Sequence, residues 1–390
     1  MSRSTVSSNS FLDIAEDCCL LHSGGEADVY KVSVSGKDCV LKWYKSGCSF
    51  DAAVLDVVAK SRNCGHYQLR EYGTRKGKSG DTPYLLYDFI DGIASDQFQK
   101  LSVLVALYAL RRLVSTLSDL RKIQVSHGDL APSNIVFAVA ESKTSKDLQP
   151  VVIDFGIVGP GALAYAAPER FQGQAPSEKS DLFSLGLLLY RWIAGTNLIA
   201  AKDFEEYAAA SSSIDCSKVS EMLYVNGDFS AQELSALEPL WSGLLNADPE
   251  DRLEDFDELD ELLEIALDKI SGGQVSLVAQ LQKFIAQLEQ EKLGEIVPTL
   301  EKCDLPYEIL TPSKKNGWGR IFVFAFFGLI LLIVALWFAV GSKGPDIDAT
   351  GAMLLKQSRS LEMDSVGATP AEDVPMDEIL QDLPVPVSGN

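Results

Sequence analysis

Three side chains near the middle of the chain, Asp129, Asn134 and Asp154, are of the types that proton transfer and metal binding require. A carboxylate beside a hydroxyl group can accept its proton. Carboxylate and amide oxygens are also the hard ligands that Mg²⁺ prefers. The first two residues lie in 126–136, SHGDLAPSNIV, and the third in 151–156, VVIDFG. Together these segments predict a site that combines a general base with a divalent cation.

The order of these segments and of three that follow resembles that of protein kinases. Segment 161–170, GALAYAAPER, is similar to the family's GTxxYxAPE segment, and 181–186, DLFSLG, to its DxxSxG helix start. Segment 248–252, DPEDR, is similar to the DPxxR motif, whose arginine usually pairs with the APE glutamate, here Glu169. The resemblance covers about residues 18–268. It implies ATP-dependent phosphorylation of protein hydroxyls, with Ser or Thr as the preferred acceptor.

This resemblance implies a role for each polar residue. Asp129 would accept or orient the proton of the acceptor hydroxyl, and Asn134 and Asp154 would bind Mg²⁺. Lys42, which ends the strand-like run CVLK, would contact the α- and β-phosphates of ATP. The implied cofactors are therefore ATP and Mg²⁺.

Residues 21–30, LHSGGEADVY, take the place of the kinase glycine-rich loop, whose backbone amides cover the nucleotide phosphates. Gly24 matches the family pattern and Gly25 adds flexibility beside it. Val29 would then pack on the adenine.

Residues 84–92, YLLYDFIDG, resemble the linker between the two kinase lobes. Tyr87 takes the gatekeeper position, and Asp88 and Ile90 would offer main-chain groups to the adenine. Since these contacts use the backbone, the residue types specify little here.

Lys42 lacks its usual partner in the sequence. In the family this lysine pairs with a glutamate of the following helix, but the predicted helix 50–60 carries only Asp51 and Asp56 as acids. An aspartate reaches about one methylene less, so the pairing of Lys42 stays open.

The catalytic loop also departs from the family pattern. Gly128 replaces the arginine that in many kinases contacts a phosphorylated loop, and loop 157–166 contains no Ser or Thr. These features predict kinase activity that does not require phosphorylation of this loop. Ala131 stands where Ser/Thr kinases usually have lysine, which leaves the acceptor residue less constrained.

Two other functions remain open at this stage. Small-molecule kinases of the aminoglycoside phosphotransferase type share the His-Gly-Asp and later Asn, but they lack segments like 161–170, 181–186 and 248–252. A pseudokinase scaffold, which binds nucleotide or partners without transfer, is favoured by the altered glycine loop and the missing helix glutamate. The presence of Lys42, Asp129, Asn134 and Asp154 opposes it.

The pattern of apolar residues predicts a small β-rich lobe, a larger helical lobe and then one transmembrane helix. The resemblance implies that the two lobes form the α+β fold of protein kinases. Two pairs of strand-like runs, 29–34 with 38–43 and 69–74 with 84–90, precede a region of helical spacing. We assign 1–15 to a disordered N-terminus and 16–268 to the kinase domain.

Residues 321–340, IFVFAFFGLILLIVALWFAV, contain no charge, and as a helix they would span about 30 Å of hydrocarbon. We predict a transmembrane helix at 320–340, between a helical juxtamembrane linker at 269–319 and an acidic, disordered tail at 341–390. More basic residues precede the span than follow it, which places the kinase domain in the cytoplasm and the tail outside. They are Lys314, Lys315 and Arg320 before it, and Lys343 after it.

Residues 274–296 repeat apolar side chains with heptad-like spacing at Leu277, Leu281, Phe284 and Leu288. Two heptads are few for a coiled coil. We prefer packing of this segment against the kinase lobe or at the membrane, and keep dimerisation through 275–296 as the alternative.

The composition limits partners and compartment. A formal net charge of -21 argues against nucleic acid, because a phosphate backbone would repel this surface. Seven cysteines without metal-ligand spacing, all before the apolar span, predict reduced thiols in a cytosolic compartment. The N-terminal residues contain no signal-peptide-like apolar stretch, so protein substrates and ATP are expected in the cytoplasm.

Overall fold

The structure, a computed structural model, describes residues 11–45, 50–61, 65–77, 80–141, 145–156, 161–227, 229–271, 274–294, 303 and 305–306. Five strands form the N-terminal lobe: β1 (Ala15–Ser23), β2 (Ala27–Val34), β3 (Lys37–Tyr44), β4 (Leu69–Gly77) and β5 (Gly80–Asp88). They pair antiparallel in the order β1-β2-β3-β5-β4. Helix α1 (Ala52–Val58) lies between β3 and β4 in the chain.

Both predicted strand pairs are confirmed. The β2–β3 hairpin turns at Ser35 and Gly36, whose φ angles are 52° and 74°. Two consecutive positive φ values are typical of a type I′ turn, which matches the twist of the strands. The second pair, β4 and β5, is in register from Leu69 opposite Tyr87 to Gly77 opposite Gly80.

The predicted disorder of residues 1–15 is wrong for its last part. Phe11–Ile14 form a short 3-10 helix and Ala15 begins β1. The reason is burial, since the Leu12 side chain is fully enclosed in an apolar cluster with Val32 and Leu41. Residues 1–10 lie outside the described part of the chain.

The C-terminal lobe combines a small sheet with helices. Strands β6 (Gly92–Ala94), β7 (Ile135–Glu141) and β8 (Lys146–Val152) pair antiparallel in that order. The helices are α2 (Val103–Lys122), α3 (Pro168–Phe171), α4 (Glu178–Ala194), α5 (Phe204–Ser211), α6 (Cys216–Asn226), α7 (Ala231–Leu244), α8 (Phe256–Ser271) and α9 (Gln274–Gly294).

Helix α4 forms the centre of this lobe. It is apolar on most of its surface, and nearly all of its side chains from Ser180 to Ile193 are buried, as expected of a helix surrounded by others. A reciprocal capping box of Ser177 and Ser180 begins it, and Gly195, with φ of 80°, ends it in the left-handed conformation.

Helix α9 packs on the C-terminal lobe, one of the two placements preferred from the sequence. Phe284 contacts Phe98 and Phe137 at centroid distances of 5.2 and 5.7 Å, and Leu281 and Leu288 are buried with it. The apolar seam of this helix is thus used within the chain. Dimerisation through 275–296 stays a prediction without support from these contacts.

None of the helices in the described ranges combines the length and the apolar character needed to cross a bilayer. The predicted span 320–340 and the acidic tail 341–390 lie outside those ranges.

Candidate active site

Asp129 and Asn134 meet in the loop between α2 and β7. The Asn134 amide nitrogen donates to both the backbone oxygen and Oδ2 of Asp129, each at 2.8 Å. Asp129 Oδ1 accepts the backbone N–H of Ala162 at 2.5 Å. Both side chains are buried. Burial, more than the charge of Asp154, raises the pKa of Asp129 to about 6, against the lowering effect of these hydrogen bonds.

The contact with Ala162 was not foreseen from the sequence. It uses a backbone N–H, which any residue type but proline supplies, so no sequence signal could have indicated it. The approach is close enough that a Cβ at the neighbouring Gly161 would clash with Asp129 Oδ1. The segment that follows 157–160 therefore lies directly against the candidate base.

His127 and Asp181 hold the catalytic loop in place. The Asp181 carboxylate, at the start of α4, accepts the backbone N–H groups of His127 at 2.8 Å and Gly128 at 2.9 Å. His127 Nδ1 accepts the N–H of Asp129 at 3.1 Å, so Nε2 carries the proton and donates to Ile153 O at 2.9 Å. The sequence analysis identified segment 181–186, which begins with Asp181. It did not predict that Asp181 binds the backbone of His127 and Gly128.

Burial controls the ionisation of these two anchors. It lowers the pKa of His127 to about 4, which keeps the ring neutral in the tautomer that both hydrogen bonds need. It raises the pKa of Asp181 to about 7, although the two N–H donors counteract this effect. The loop is thus anchored by one neutral ring and one buried carboxyl group.

Lys42 and Asp154 form an ion pair across the cleft. Lys42 Nζ lies 2.8 Å from Asp154 Oδ2, and both side chains are mostly buried. Asp154 has a left-handed φ of 66°, and the backbone N–H of the preceding Ile153 donates to Asn134 O at 2.9 Å. The structure thus brings Lys42, Asp129, Asn134 and Asp154 together, as the sequence predicted.

The remaining oxygen of Asp154 fits a cation ligand. Asp154 Oδ1 is buried and accepts no hydrogen bond from the described residues. An unpaired buried carboxylate oxygen is costly unless a ligand satisfies it. Asn134 uses its amide nitrogen toward Asp129, which leaves its side-chain oxygen as the group a cation would take. Mg²⁺ is commonly held by one or two protein oxygens plus phosphate and water, so this donor set fits.

Neither acidic residue near α1 pairs with Lys42. Asp51 caps α1 by accepting the N–H groups of Ala53 and Val54. Asp56 accepts the Tyr72 hydroxyl at 2.6 Å. Lys42 is thus directed to Asp154 instead of to the helix.

The glycine-loop residues lie on the same side of the sheet as Lys42. Val29 is directly opposite Lys42 in the β2–β3 register, and directly opposed residues place their side chains on one face. The Gly24 N–H donates to Ala27 O at 2.9 Å, which closes the turn that contains Gly25. This arrangement suits a cover over a nucleotide.

In the linker, some main-chain groups are already used. The N–H of Asp88 donates to Gln68 O at 3.0 Å, and Ile90 O accepts the N–H of Gly92 at 3.0 Å. The Asp88 side chain accepts from Arg70. Contacts of Asp88 and Ile90 with adenine therefore stay a prediction.

The segment 161–170 is fixed to the lobe at both ends. Tyr165 is buried, and its hydroxyl donates to Asn197 Oδ1 at 2.7 Å. Glu169 accepts from Arg252 through two hydrogen bonds of 2.7 and 2.8 Å. The pairing of Glu169 with Arg252, which the motif resemblance implied, is confirmed.

Gly128 is required by its surroundings. Its φ is 77°, and a Cβ there would lie 2.6 Å from Pro176 Cγ. An arginine at this position would face both backbone strain and this clash. The absence of the family's arginine thus follows from how Pro176 packs on the loop.

Comparison with known proteins supports this interpretation of the site. Residues 84–264 match the family model described as the protein kinase domain. The match begins in β5, so Lys42 and the glycine-loop residues precede it. The matched range is slightly less than half of the chain, and the chain has a two-lobed fold like that of protein kinases.

Individual relatives are distant. Over 224 residues the chain is 26% identical to a calcium and calcium/calmodulin-dependent serine/threonine-protein kinase of Lotus japonicus, covering 52% of this chain and 38% of the relative. It is 27% identical over 210 residues to human serine/threonine-protein kinase ULK3, covering 48% and 43%. The chain thus spans less than half the length of these relatives. A solved double-mutant kinase domain of Mycobacterium tuberculosis PknI matches with a TM-score of 0.48 and 19% identity, over 65% of this chain and 96% of that one.

Proposed function

We propose that this protein is an ATP-dependent protein kinase that phosphorylates Ser or Thr hydroxyls. The observation that carries the proposal is the Lys42–Asp154 ion pair of 2.8 Å beside the bonded pair of Asp129 and Asn134. A structural role alone does not explain why the buried Asp154 carboxylate keeps one oxygen that accepts no hydrogen bond from the described residues.

Each of the four residues has one task in this proposal. Lys42 binds the α- and β-phosphates of ATP, and Asp154 and Asn134 hold the cation. Mg²⁺, when bound, neutralises charge that develops on the phosphate oxygens. Asp129 accepts a hydrogen bond from the acceptor hydroxyl, orients it and takes its proton. Gly24, Gly25 and Val29 cover the nucleotide, and Asp88 and Ile90 contact the adenine.

The hydrogen bond from Ala162 to Asp129 has a consequence for the acceptor. Asp129 Oδ1 already accepts this N–H at 2.5 Å, and Oδ2 accepts from Asn134. A carboxylate oxygen can accept more than one hydrogen bond, so an acceptor hydroxyl can bind Oδ1 beside the Ala162 N–H. Residues 161–162 would then lie next to the acceptor.

A pseudokinase scaffold is the second candidate, because Lys42 has no acidic partner on α1 and the backbone of Ala162 covers the candidate base. We favour the active enzyme since all four polar residues are present and form two pairs with contacts of 2.8 Å. The small-molecule phosphotransferase alternative is weakened by the buried pair of Glu169 and Arg252, which joins two motifs of the protein-kinase set.

We further propose that residues 320–340 anchor the protein in a membrane, with the kinase domain on the cytoplasmic side and 341–390 outside. The uncharged apolar run and the excess of basic residues before it support this topology. Residues 16–268 would be the kinase domain and 269–319 the segment that joins it to the membrane. Protease protection of the tail in sealed vesicles is expected, and cleavage of the tail from the cytoplasmic side would contradict the topology.

The activity is tested by transfer of labelled phosphate from Mg-ATP to a panel of proteins and small molecules. Label on Ser or Thr of proteins, lost in Asp154→Ala, is the expected result. Label on small molecules alone would favour the phosphotransferase, and ATP binding without any transfer would favour the scaffold.

A further inference from the structure

Cys303 and Leu305, which follow α9 in sequence, lie at the outer edge of the N-terminal sheet. Strand β1 is an edge strand, and the carbonyl of Cys18 on this edge accepts the backbone N–H of Cys303 at 2.8 Å. Leu305 and the Cys303 side chain pack on the apolar cluster that contains Cys18 and Leu12. Backbone pairing and apolar packing together hold this segment on β1.

The two thiol groups meet at this contact. Cys303 Sγ lies 3.3 Å from Cys18 Sγ, although 285 positions separate the residues in sequence. A disulfide needs a sulfur separation of about 2.05 Å and Cα atoms within roughly 4.4–6.8 Å. The backbone hydrogen bond from Cys303 to Cys18 keeps the two residues adjacent. The two sulfur atoms must approach by about 1.2 Å to form the bond.

We propose that Cys18 and Cys303 form a peroxide-sensitive disulfide that fastens the segment following α9 to the edge of the N-terminal sheet. The pair is reduced in the structure described here. The two cysteines differ in access, because Cys18 is 4% exposed whereas Cys303 is partly exposed. Cys303 is therefore the thiol that reacts first with peroxide, and Cys18 is the resolving thiol that attacks the resulting sulfenic acid.

The chemistry takes two steps. The Cys303 thiolate attacks one oxygen of hydrogen peroxide, which forms an S–O bond, breaks the O–O bond and releases hydroxide, and the sulfur becomes a sulfenic acid. The Cys18 thiol then attacks that sulfur, which forms the S–S bond and breaks the S–O bond. Water leaves with the Cys18 proton. In total, the two thiols lose two electrons and two protons, and one peroxide is reduced to two waters.

Two other described cysteines, Cys19 and Cys216, are not in position to form this disulfide. Cys19 follows Cys18 in a regular part of β1, opposite Lys31, so its side chain points to the other face of the sheet. Cys216 lies on α6 in the other lobe. These two residues provide matched controls.

Such a bond would link the two lobes. Cys18 belongs to the N-terminal lobe, whereas α9, which precedes Cys303, packs on the C-terminal lobe through Phe284. Lys292 near the end of α9 also pairs with Asp91, in the interlobe linker, at 2.6 Å. The disulfide would therefore join the N-terminal lobe covalently to the chain that follows α9.

The test treats the full chain with hydrogen peroxide, blocks remaining thiols with N-ethylmaleimide and maps peptides without reduction. The expected result is a peptide that joins Cys18 to Cys303, lighter by two hydrogens and released by dithiothreitol. It should form at a rate independent of protein concentration. Cys303→Ser should abolish it, and Cys19→Ser and Cys216→Ser should leave it unchanged.

Three outcomes would overturn the proposal: a link through Cys19, a link between two chains, or oxidation of Cys303 to sulfinic acid with Cys18 still free. Since Cys303 is partly exposed, its replacement by serine should not unfold the protein. Cys18 is buried, so the test does not rely on a Cys18 variant. The readout is thiol chemistry and does not depend on phosphoryl transfer.

Discussion

Arg252 and Glu169 form a two-point ion pair inside the C-terminal lobe, with N–O distances of 2.7 and 2.8 Å and side chains 0% and 5% exposed. Arg252 also donates to the carbonyl oxygens of Lys179, Asn246 and Ala247. The pair connects α3, which contains Glu169, to the loop before α8, which contains Arg252. Its full set of hydrogen bonds explains how a charge pair is tolerated at this depth.

Replacing Arg252 with methionine should lower the free energy of unfolding by about 3–5 kcal/mol, because a buried Glu169 carboxylate loses its partner. Urea unfolding of the purified protein measures the change. Lys218→Met is the control, since Lys218 pairs with Asp215 at 3.3 Å on the exposed surface. Its effect should be far smaller, because water screens an exposed ion pair. Equal effects of both changes would contradict this interpretation of the buried pair.

His127 should make the protein less stable in mild acid. Its folded pKa is about 4 and its usual value 6.5, so below pH 6.5 the unfolded chain binds a proton that the folded chain does not. The contribution of neutral His127 to the free energy of unfolding is fully present above pH 6.5. It falls by roughly 3 kcal/mol as the pH decreases from 6.5 to 4.

Urea unfolding of the wild type and His127→Phe at pH 7 and pH 4.5 tests this. The stability advantage of the wild type over the variant should shrink at the lower pH, because the variant lacks the titrating ring. An advantage that stays constant would show that His127 is not held neutral.

Gly128→Ala should lower the stability of the protein more than replacing another glycine that has a left-handed backbone conformation. Gly173→Ala is the matched control, since Gly173 has φ of 81° but nothing within 4 Å of its Cβ position. The control should cost about 1–2 kcal/mol from backbone conformation alone. The Gly128 change adds the clash with Pro176 and should cost more. Similar melting temperatures for the two variants would rule out the clash.

Phe284→Ala should destabilise the whole lobe, because Phe284 fills the space between Phe98 and Phe137. We expect a loss of about 3–5 kcal/mol in the free energy of unfolding. Gln282→Ala, at an exposed position of the same helix, should change it by no more than about 0.5 kcal/mol. If both variants unfold like the wild type, α9 does not belong to the folded core.

The sequence allowed the site to be predicted where side-chain types in fixed order carry the information. Lys42, Asp129, Asn134 and Asp154 were identified in this way and lie together in the structure. The β2–β3 hairpin was likewise predicted, because strand-like runs lie on both sides of Gly36.

What could not be predicted depends on the backbone or on contacts between distant residues. The N–H of Ala162 on Asp129 is independent of residue type. Strand β1 has no regular alternation of apolar residues, because a bulge near Asp17 shifts its register against β2. The contact between Cys18 and Cys303 joins residues at opposite ends of the described chain, which no local pattern encodes.

The central claim is that Asp129 acts as the base of a phosphoryl-transfer site, and one comparison tests it most directly. The initial rate of labelled phosphate transfer from Mg-ATP to protein is measured for the full-length wild type, Asp129→Asn and Ser133→Ala. Ser133 lies in the same loop but is exposed, so its replacement should leave the rate within about twofold. Asp129→Asn keeps the shape of the side chain and should lower the rate by at least about a hundredfold, with ATP binding retained. A rate for Asp129→Asn equal to that of the wild type would contradict the account.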